Sequence, residues 1–430
     1  MWGENTISEM TNIALARLVK SVAFPLTEPL PSEAIFLLQD FRLAVNNAIR
    51  FGIREGISSR NAFNKLAYKD FRVEFPQMLS QHLVSAFTVA GGVLKNYRKR
   101  QRAGRATRVP YVKRLMMKAD NVTYRLDREN GVIELRIRTG CRVNVGLVVS
   151  QYHRKYLDDR TLSLGSLTLL PDRVLVCFRR EPPKPYKPNA ALSLDTNEGS
   201  LDGIFVKARR KKVRPIKVDF SDIPIIQQRH VDRRRRLQKK KAHDRRTSRE
   251  LRGRDGRREH NRVDYRLHQV ANAVLDFAET NRSAVIIEDL TGIRPKGGKA
   301  LKRRLSSWPQ RKLHTIMEYK ARWRGIPLVK VDPRNSSRTC PICGKIKKSR
   351  IGKEFKCECG WQADRHINAS INLLQTASLN GLVGGLGFSP GAFQHDVVMT
   401  LYDPIMGARS ELNGMSHTKF DRTDRGICKS

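Results

Sequence analysis

Three acidic residues and four cysteines stand where their spacing could do chemistry. Leu192-Ser193-Leu194-Asp195 is a short apolar run that ends in a carboxylate, and Ala284-Val285-Ile286-Ile287-Glu288 is a second. Asp364 opens a helical pattern in which Ile367, Ile371 and Leu374 fall on one face. Acids at two strand ends and one helix start can meet at a single sheet edge. Gathered there, they would hold two Mg2+ (or Mn2+) ions about 4 Å apart for hydrolysis of a phosphodiester, one ion activating water and the other stabilising the leaving oxygen. Each acid also has a plainer reading: Asp195 as a turn cap, Glu288 as an ion-pair partner of Arg282 or Arg294, Asp364 as a helix cap. Singly, the two readings weigh equally. Together, in this order, the acids favour catalysis.

The cysteines lie just ahead of Asp364. Cys340 and Cys343 form a Cys-x-x-Cys knuckle, and Cys357 and Cys359 form a Cys-x-Cys knuckle after a basic, hairpin-like insert. Four thiolates in two pairs suit one structural Zn2+ in a closed tetrahedral shell. An odd total of seven cysteines with this spacing argues for a reducing compartment rather than a disulfide scaffold. Cys141 and Cys177 fall in strand patterns and are expected to be buried, inert thiols; Cys428 lies near the end of the chain. Trp308 and Trp361 read as core. Arg338 and Thr339 are candidates for phosphate contact, with a plain surface role weighing nearly as much. Asn368 and Asn372, four apart on the last helix, are expected in solvent, with Asn368 a candidate support of the site.

Short strands and long helices must position these groups. Apolar runs predict strands around 192–195, 203–206, 284–288 and 326–332, with the 284–288 strand central and buried. A helix through Val270, Val274 and Phe277 leads into that central strand. Ser306 or Ser307 would cap a helix carrying Leu313, Ile316 and Lys320, after a Gly- and Lys-rich loop at Thr291–Leu305. Upstream, PPKPYKPNA at Pro182–Ala190 reads as a linker, so a new domain begins at Ala191. Before it come a strand within 12–30, a helix capped by Ser32, and a helix after Pro76 carrying Leu79, Leu83, Ala86, Ala90 and Leu94. Two hairpins follow, one turning at Asn130-Gly131 and one at Pro171-Asp172. The tail from Ser378 to Ser430 is Gly-rich, then polar, with weak periodicity.

The chain has 430 residues, room for about two to four domains. It carries 83 Lys and Arg against 41 Asp and Glu, a formal charge of +42. That excess repels itself unless a polyanion neutralises it, so nucleic acid is the leading partner class, bound with strong salt dependence. The segment Lys207–Arg266 alone holds 24 Lys and Arg against 8 Asp and Glu, and its RRRRLQKKK run reads as a helical arm along a phosphate backbone. A localisation signal is the competing reading of that run. No stretch approaches the ~18 consecutive apolar residues of a membrane helix, so no membrane partner is expected. MWGENTISEM shows no basic start followed by an apolar core, so no secretory signal is expected.

LSLDTNEGSLDGIFV around Asp195, VIIEDLTGI around Glu288, the run from WPQRKLHTIMEYK to SSRTCPICG, and FKCECGWQADRHINASINLL through Asp364 together give a specific likeness. The chain resembles the TnpB (OrfB) family of transposon-encoded RNA-guided nucleases, relatives of type V CRISPR effectors. The likeness is close over Ala191–Ala377 and looser before it. It implies a multidomain α+β protein: a ribonuclease H-like (RuvC) domain at 189–337 and 361–377 with an inserted zinc ribbon at 338–360 that meets target nucleic acid. It also implies a wedge-like β-domain at 1–30 and 104–188, interrupted by a helical recognition insert at 31–103. Asp195, Glu288 and Asp364 would hold Mg2+, and Cys340, Cys343, Cys357 and Cys359 one Zn2+. The implied activity is RNA-guided DNA cleavage beside a short motif, by a monomer or homodimer on its guide RNA, in the nucleoid of a prokaryotic cytoplasm. The alternatives are a silent RNA-guided repressor, a CRISPR-associated effector of the same fold, and an unguided nuclease. Three positions depart from the family's pattern: Cys-x-Cys in the second knuckle, His366 where an acid or amide is common, and Thr196-Asn197 in place of a Gly-containing turn.

Overall fold

Apolar residues spaced for strands and helices fold into two units, Met1–Pro182 and Pro183–Ser430. The computed structural model describes residues 17–105, 108–207, 213–241, 247–292, 298, 309–348, 352–379 and 403–404. In the first unit, β1 (Leu18–Pro25), β2 (Met117–Ala119), β6 (Ser163–Leu170) and β7 (Arg173–Arg180) make one sheet in the order β1-β7-β6-β2. A second sheet joins β3 (Tyr124–Asp127), β4 (Val132–Arg138) and β5 (Cys141–Gly146). Both expected hairpins form. The first closes through a loop at 128–131 rather than a tight turn, because Asp127 Oδ1 accepts from the amides of Glu129 and Asn130 and Gly131 takes φ 65°.

Between β1 and β2 run α1 (Ser32–Arg54), α2 (Arg60–Leu66), α3 (Tyr68–Glu74) and α4 (Ser80–Arg102), and α5 (Gln151–Leu157) lies between β5 and β6. Leu38, Phe41, Val45 and Ile49 of α1 and Leu83, Phe87, Ala90 and Leu94 of α4 are fully buried. Arg98 ties the pair by donating to the Gly52 and Ile57 carbonyls and to Ser58 Oγ. Ser32 does not cap α1. Pro31 holds the cap position, and the Ser32 hydroxyl donates to Glu33. Cys177 is half-buried and lies 3.2 Å from Ser21 Oγ, and Cys141 is half-buried too, so neither thiol is enclosed as expected.

The second unit holds a six-stranded sheet in the order β12-β11-β8-β9-β10-β15. Its strands are β8 (Ala190–Thr196), β9 (Ser200–Lys207), β10 (Val213–Asp219), β11 (Ser283–Glu288), β12 (Leu328–Val331) and β15 (Asp403–Pro404). Strand β11 runs parallel to both β8 and β12, while β8, β9 and β10 are antiparallel. Strands β8, β9 and β11 are buried on both faces, which explains why they read as unbroken apolar runs. Gly203 is required on β9: a Cβ there would sit 2.0 Å from the Ser193 carbonyl oxygen.

One face of this sheet packs on α6 (Asp222–Lys241), α7 (Thr247–Thr280) and α8 (Gln310–Arg324), through Ile223, Val270, Val274, Leu313 and Met317. The other packs on α9 (Arg365–Leu379), through Ile367, Ile371 and Leu374 with Trp361. A small ribbon of β13 (Glu354–Lys356) and β14 (Gln362–Asp364) precedes α9. Most of Thr291–Leu305, together with Ser306, Ser307, Trp308, Cys428 and the tail after Leu379 apart from 403–404, lies outside the described residues. Among the described residues, no helix is long and apolar enough to cross a membrane.

Candidate functional site

Ile287 pairs with Leu194 in the parallel ladder, so the next residue on each strand, Glu288 and Asp195, emerge side by side at its C-terminal edge. Both are buried, and among the described residues neither pairs with an arginine; Arg294 lies outside those residues, and the Arg282 guanidinium lies over the Tyr186 ring. Glu288 Oε2 accepts from the Thr196 amide at 3.2 Å. Burial pushes the Glu288 carboxyl up to about 8, with the Asp195 charge and a carboxyl–carboxyl hydrogen bond acting the same way. Two enclosed acids in contact resist holding two negative charges. A divalent cation removes that conflict, so the donor set fits one.

Asp364 caps α9: its Oδ1 accepts from the amides of His366 (2.8 Å) and Ile367 (3.4 Å). His366 Nδ1 in turn lies 2.6 Å from Asp195 Oδ2. The cap and the strand-end acid are thereby joined through one residue, the His366 amide meeting Asp364 and its imidazole meeting Asp195. Below it, Ser193 Oγ donates to the Ser370 carbonyl (2.7 Å) and Ser370 Oγ to the Asp202 carbonyl (3.0 Å), fixing α9 on β8 and β9. Asp195 and Glu288 are therefore brought into contact, while Asp364 stands further off. Among the described residues, the one group of three or more His, Cys, Asp or Glu with ligand atoms all within 4.8 Å is the cysteine set.

Three neighbours were not read from the sequence as supports of these acids. Asp202 lies opposite Asp195 across the hairpin, buried, its Oδ2 accepting from Asn197 Nδ2 (2.5 Å) and Ser200 Oγ (2.6 Å). Counting register back from the 197–199 turn would have found it. Thr196 and His314 are the others: His314 Nε2 sits 2.9 Å from Thr196 Oγ1, and burial pushes its pKa down to about 4, which keeps it neutral. A lone histidine in KLHTIM gives no signal of this contact.

The raised Glu288 pKa fixes a pH dependence. The unfolded chain releases this proton near 4.5, whereas the metal-free fold keeps it to about 8. Between those values the folded state binds more protons, so stability falls as pH rises. Metal-free protein is expected to melt at progressively lower temperature from pH 5 to pH 8 (about that window). Glu288→Gln should flatten the part of the slope owed to this group, and an unchanged profile in that variant would show that Glu288 is not its source.

The four cysteines converge. Cys340 Sγ is 3.5 Å from Cys359 Sγ, and Cys343 Sγ is 3.5 Å from Cys357 Sγ. A tetrahedron of Zn–S bonds of about 2.3 Å has edges of about 3.8 Å, so the set fits zinc. The Cys343 thiol is held down to about 7, first by the Lys345 amide, which favours a thiolate. Arg338 is committed to the knuckle itself, donating to the Lys347 (2.7 Å) and Lys348 (2.8 Å) carbonyls.

Asn368 and Asn372 are buried rather than solvated, which corrects the expectation. Asn368 Oδ1 accepts from Trp361 Nε1 (3.0 Å), and its Nδ2 donates to the Thr339 carbonyl (2.9 Å). Asn372 Nδ2 donates to the Ser336 and Thr339 carbonyls at 2.7 Å each. Burial of Trp361 follows the expectation of a core role. Because both carbonyls would lose their shorter donor and keep only Asn368, at 3.4 Å for Ser336 and 2.9 Å for Thr339, Asn372→Ala is expected to cost about 0.5–1.5 kcal/mol, measured as a lower Tm for the zinc-loaded protein.

Residues 311–373, from α8 through the knuckle and into α9, match the sequence family described as Cas12f1-like, TNB domain. Residues 37–136 match the Uncharacterized protein MJ0013 family. TnpB-like protein MJ0751 of Methanocaldococcus jannaschii is 26% identical over 241 residues, covering 54% of this chain and 86% of the relative. The chain is a TnpB-family relative of the type V effectors. A CRISPR-associated endodeoxyribonuclease Cas12f1 of Sulfoacidibacillus thermotolerans is 36% identical over 110 residues, and the match spans a quarter of either chain. The solved Cas12f1-sgRNA-target DNA complex shares the fold, with TM-score 0.61 at 11% identity over 83% of this chain and 98% of that one.

Proposed function

We propose that the chain is an RNA-guided DNA endonuclease whose RuvC-type site hydrolyses phosphodiesters beside a short DNA motif. The observation that carries this reading is the meeting of Asp195 and Glu288 at the C-terminal edge of parallel strands, with Asp364 at the head of the helix joined to Asp195 through His366. Asp195, Glu288 and Asp364 would hold the divalent cations. When bound, these supply Lewis-acid stabilisation of the attacking and leaving oxygens. The protein's own groups set the stage for them. Thr196 and the neutral His314 hold Glu288 in place, Asp364 fixes the start of α9, and His366 orients Asp195. Asp364 would need to lie nearer the other two acids for all three to hold the cations together.

The basic charge fits a polynucleotide partner. A "Putative RNA-guided DNA endonuclease" of Streptomyces pristinaespiralis, 36% identical over 134 residues, adds the RNA-guided part, and in that scheme base pairing reads the sequence while the protein reads backbone and shape. Residues 338–360 would then be a zinc-binding part facing target nucleic acid. Segments 1–30 and 104–188 would be the β wedge, and 31–103 the recognition helices. The deciding experiment purifies the protein with its bound RNA, sequences that RNA, and supplies a matching duplex with Mg2+ or Mn2+. Cleavage that requires both the RNA match and the metal is the expected result. Cleavage without RNA, or occupancy of the duplex without cleavage, overturns the reading.

A further inference from the structure

The arginines of α6 and α7 play two parts, and Arg233 shares in both. One set holds the helices together: Arg234 pairs with Glu259, Arg266 forms two hydrogen bonds to Asp222 (2.6 and 3.0 Å), and Arg233 reaches buried Asp255 at 3.3 Å. Asp255 also anchors His230, whose Nδ1 lies 3.1 Å from Asp255 Oδ1. The other set faces a cavity of about 540 Å³ lined by Arg229, His230, Arg233, Arg236, Leu237 and Arg262. Arg229, Arg233 and Arg236 recur every three to four residues, so they share one face of α6, and Arg262 comes from α7. Arg229, Arg236 and Arg262 are exposed, and no carboxylate among the described residues pairs with them.

Three arginines without counter-charge around a cavity whose floor is fixed by a buried His–Asp pair would repel one another unless an anion joins them. Guanidinium groups match phosphate by forked hydrogen bonding. We propose that this cavity is a phosphate-binding site that grips the backbone of a bound polynucleotide, with Arg229, Arg236 and Arg262 as its ligands and Arg233 and His230 as its fixed wall. It rests on the reading of nucleic acid as partner. It adds that the RRRR run is not a uniform smear of charge: Arg234 is structural, and its neighbours at 229 and 236 read phosphate.

The test titrates full-length protein with a fluorescein-labelled homopolymeric RNA, and separately with a random-sequence DNA duplex of the same length, over a range of salt. Triple replacement Arg229→Gln, Arg236→Gln, Arg262→Gln removes three counterion-releasing contacts. The log–log salt slope should fall by about 2 to 3 units, with on the order of 100-fold weaker binding near 0.1 M salt. Whichever probe shows the change identifies the strand that occupies the cavity. Arg234→Gln is the control, expected to lower Tm while leaving the slope unchanged. A triple variant that keeps the parent's slope on both probes overturns the assignment, as does an Arg234→Gln slope that falls equally. A parent that binds neither probe in a salt-dependent way overturns the nucleic-acid reading itself.

Discussion

Replacing Asp195 with Ala should lower the rate of RNA-guided DNA cleavage by about 1,000-fold or more, while RNA binding and Tm stay close to the parent's. The size follows from the chemistry. Metal stabilisation of a phosphodiester transition state contributes several kcal/mol, and about 4 kcal/mol corresponds to a thousandfold in rate. The fold survives because Asp195 sits at the end of β8, beyond its apolar core contacts, and its removal relieves the crowding with Glu288. Gel analysis of matched duplex with Mg2+ reads the rate, and fluorescence polarisation reads RNA affinity. An Asp195→Ala protein that cuts like the parent removes this residue from the site.

The second large effect concerns zinc. The parent should carry one zinc per chain by elemental analysis, and Cys340→Ser should carry none. Structural zinc sites contribute about 10–16 kcal/mol, comparable to the whole stability of a domain, about 5–15 kcal/mol. Among the described residues, short strands, the isolated Thr339–Ile346 bridge and the Arg338 contacts organise the region around the cysteines. Without metal it should open, giving rapid proteolysis within 338–360 and loss of cleavage. Zinc-free protein that resists protease as the parent does would show that the sulfur cluster is not what holds this region.

Much of this could be read from residue types, for definite physical reasons. Strands buried on both faces leave apolar runs, so β8, β9 and β11 were visible, and an acid that ends such a run is conspicuous. Asp364 was legible because a helix start calls for a capping side chain. Cysteines in close pairs announce a tetrahedral centre. What stayed hidden depends on contacts distant in sequence. Asn368 and Asn372 look like surface residues on a helical wheel, yet their amides satisfy the carbonyls of Ser336 and Thr339, about 30 residues upstream. His314 and His366 owe their places to Thr196 and Asp195, 118 and 171 residues away. Short helices such as α2 and α3 bury only Phe63 and Phe71, too little periodicity to stand out.

The link from His366 back to Asp195 has a bearing on how the protein is made. A ribosome delivers Asp195 and Glu288 long before the segment that bears Asp364, and the last helix must emerge before it can settle on strands already laid down. On the proposed reading, a growing polypeptide would carry most of its positive charge while the acid cluster is still incomplete, so capacity to bind would precede capacity to cut.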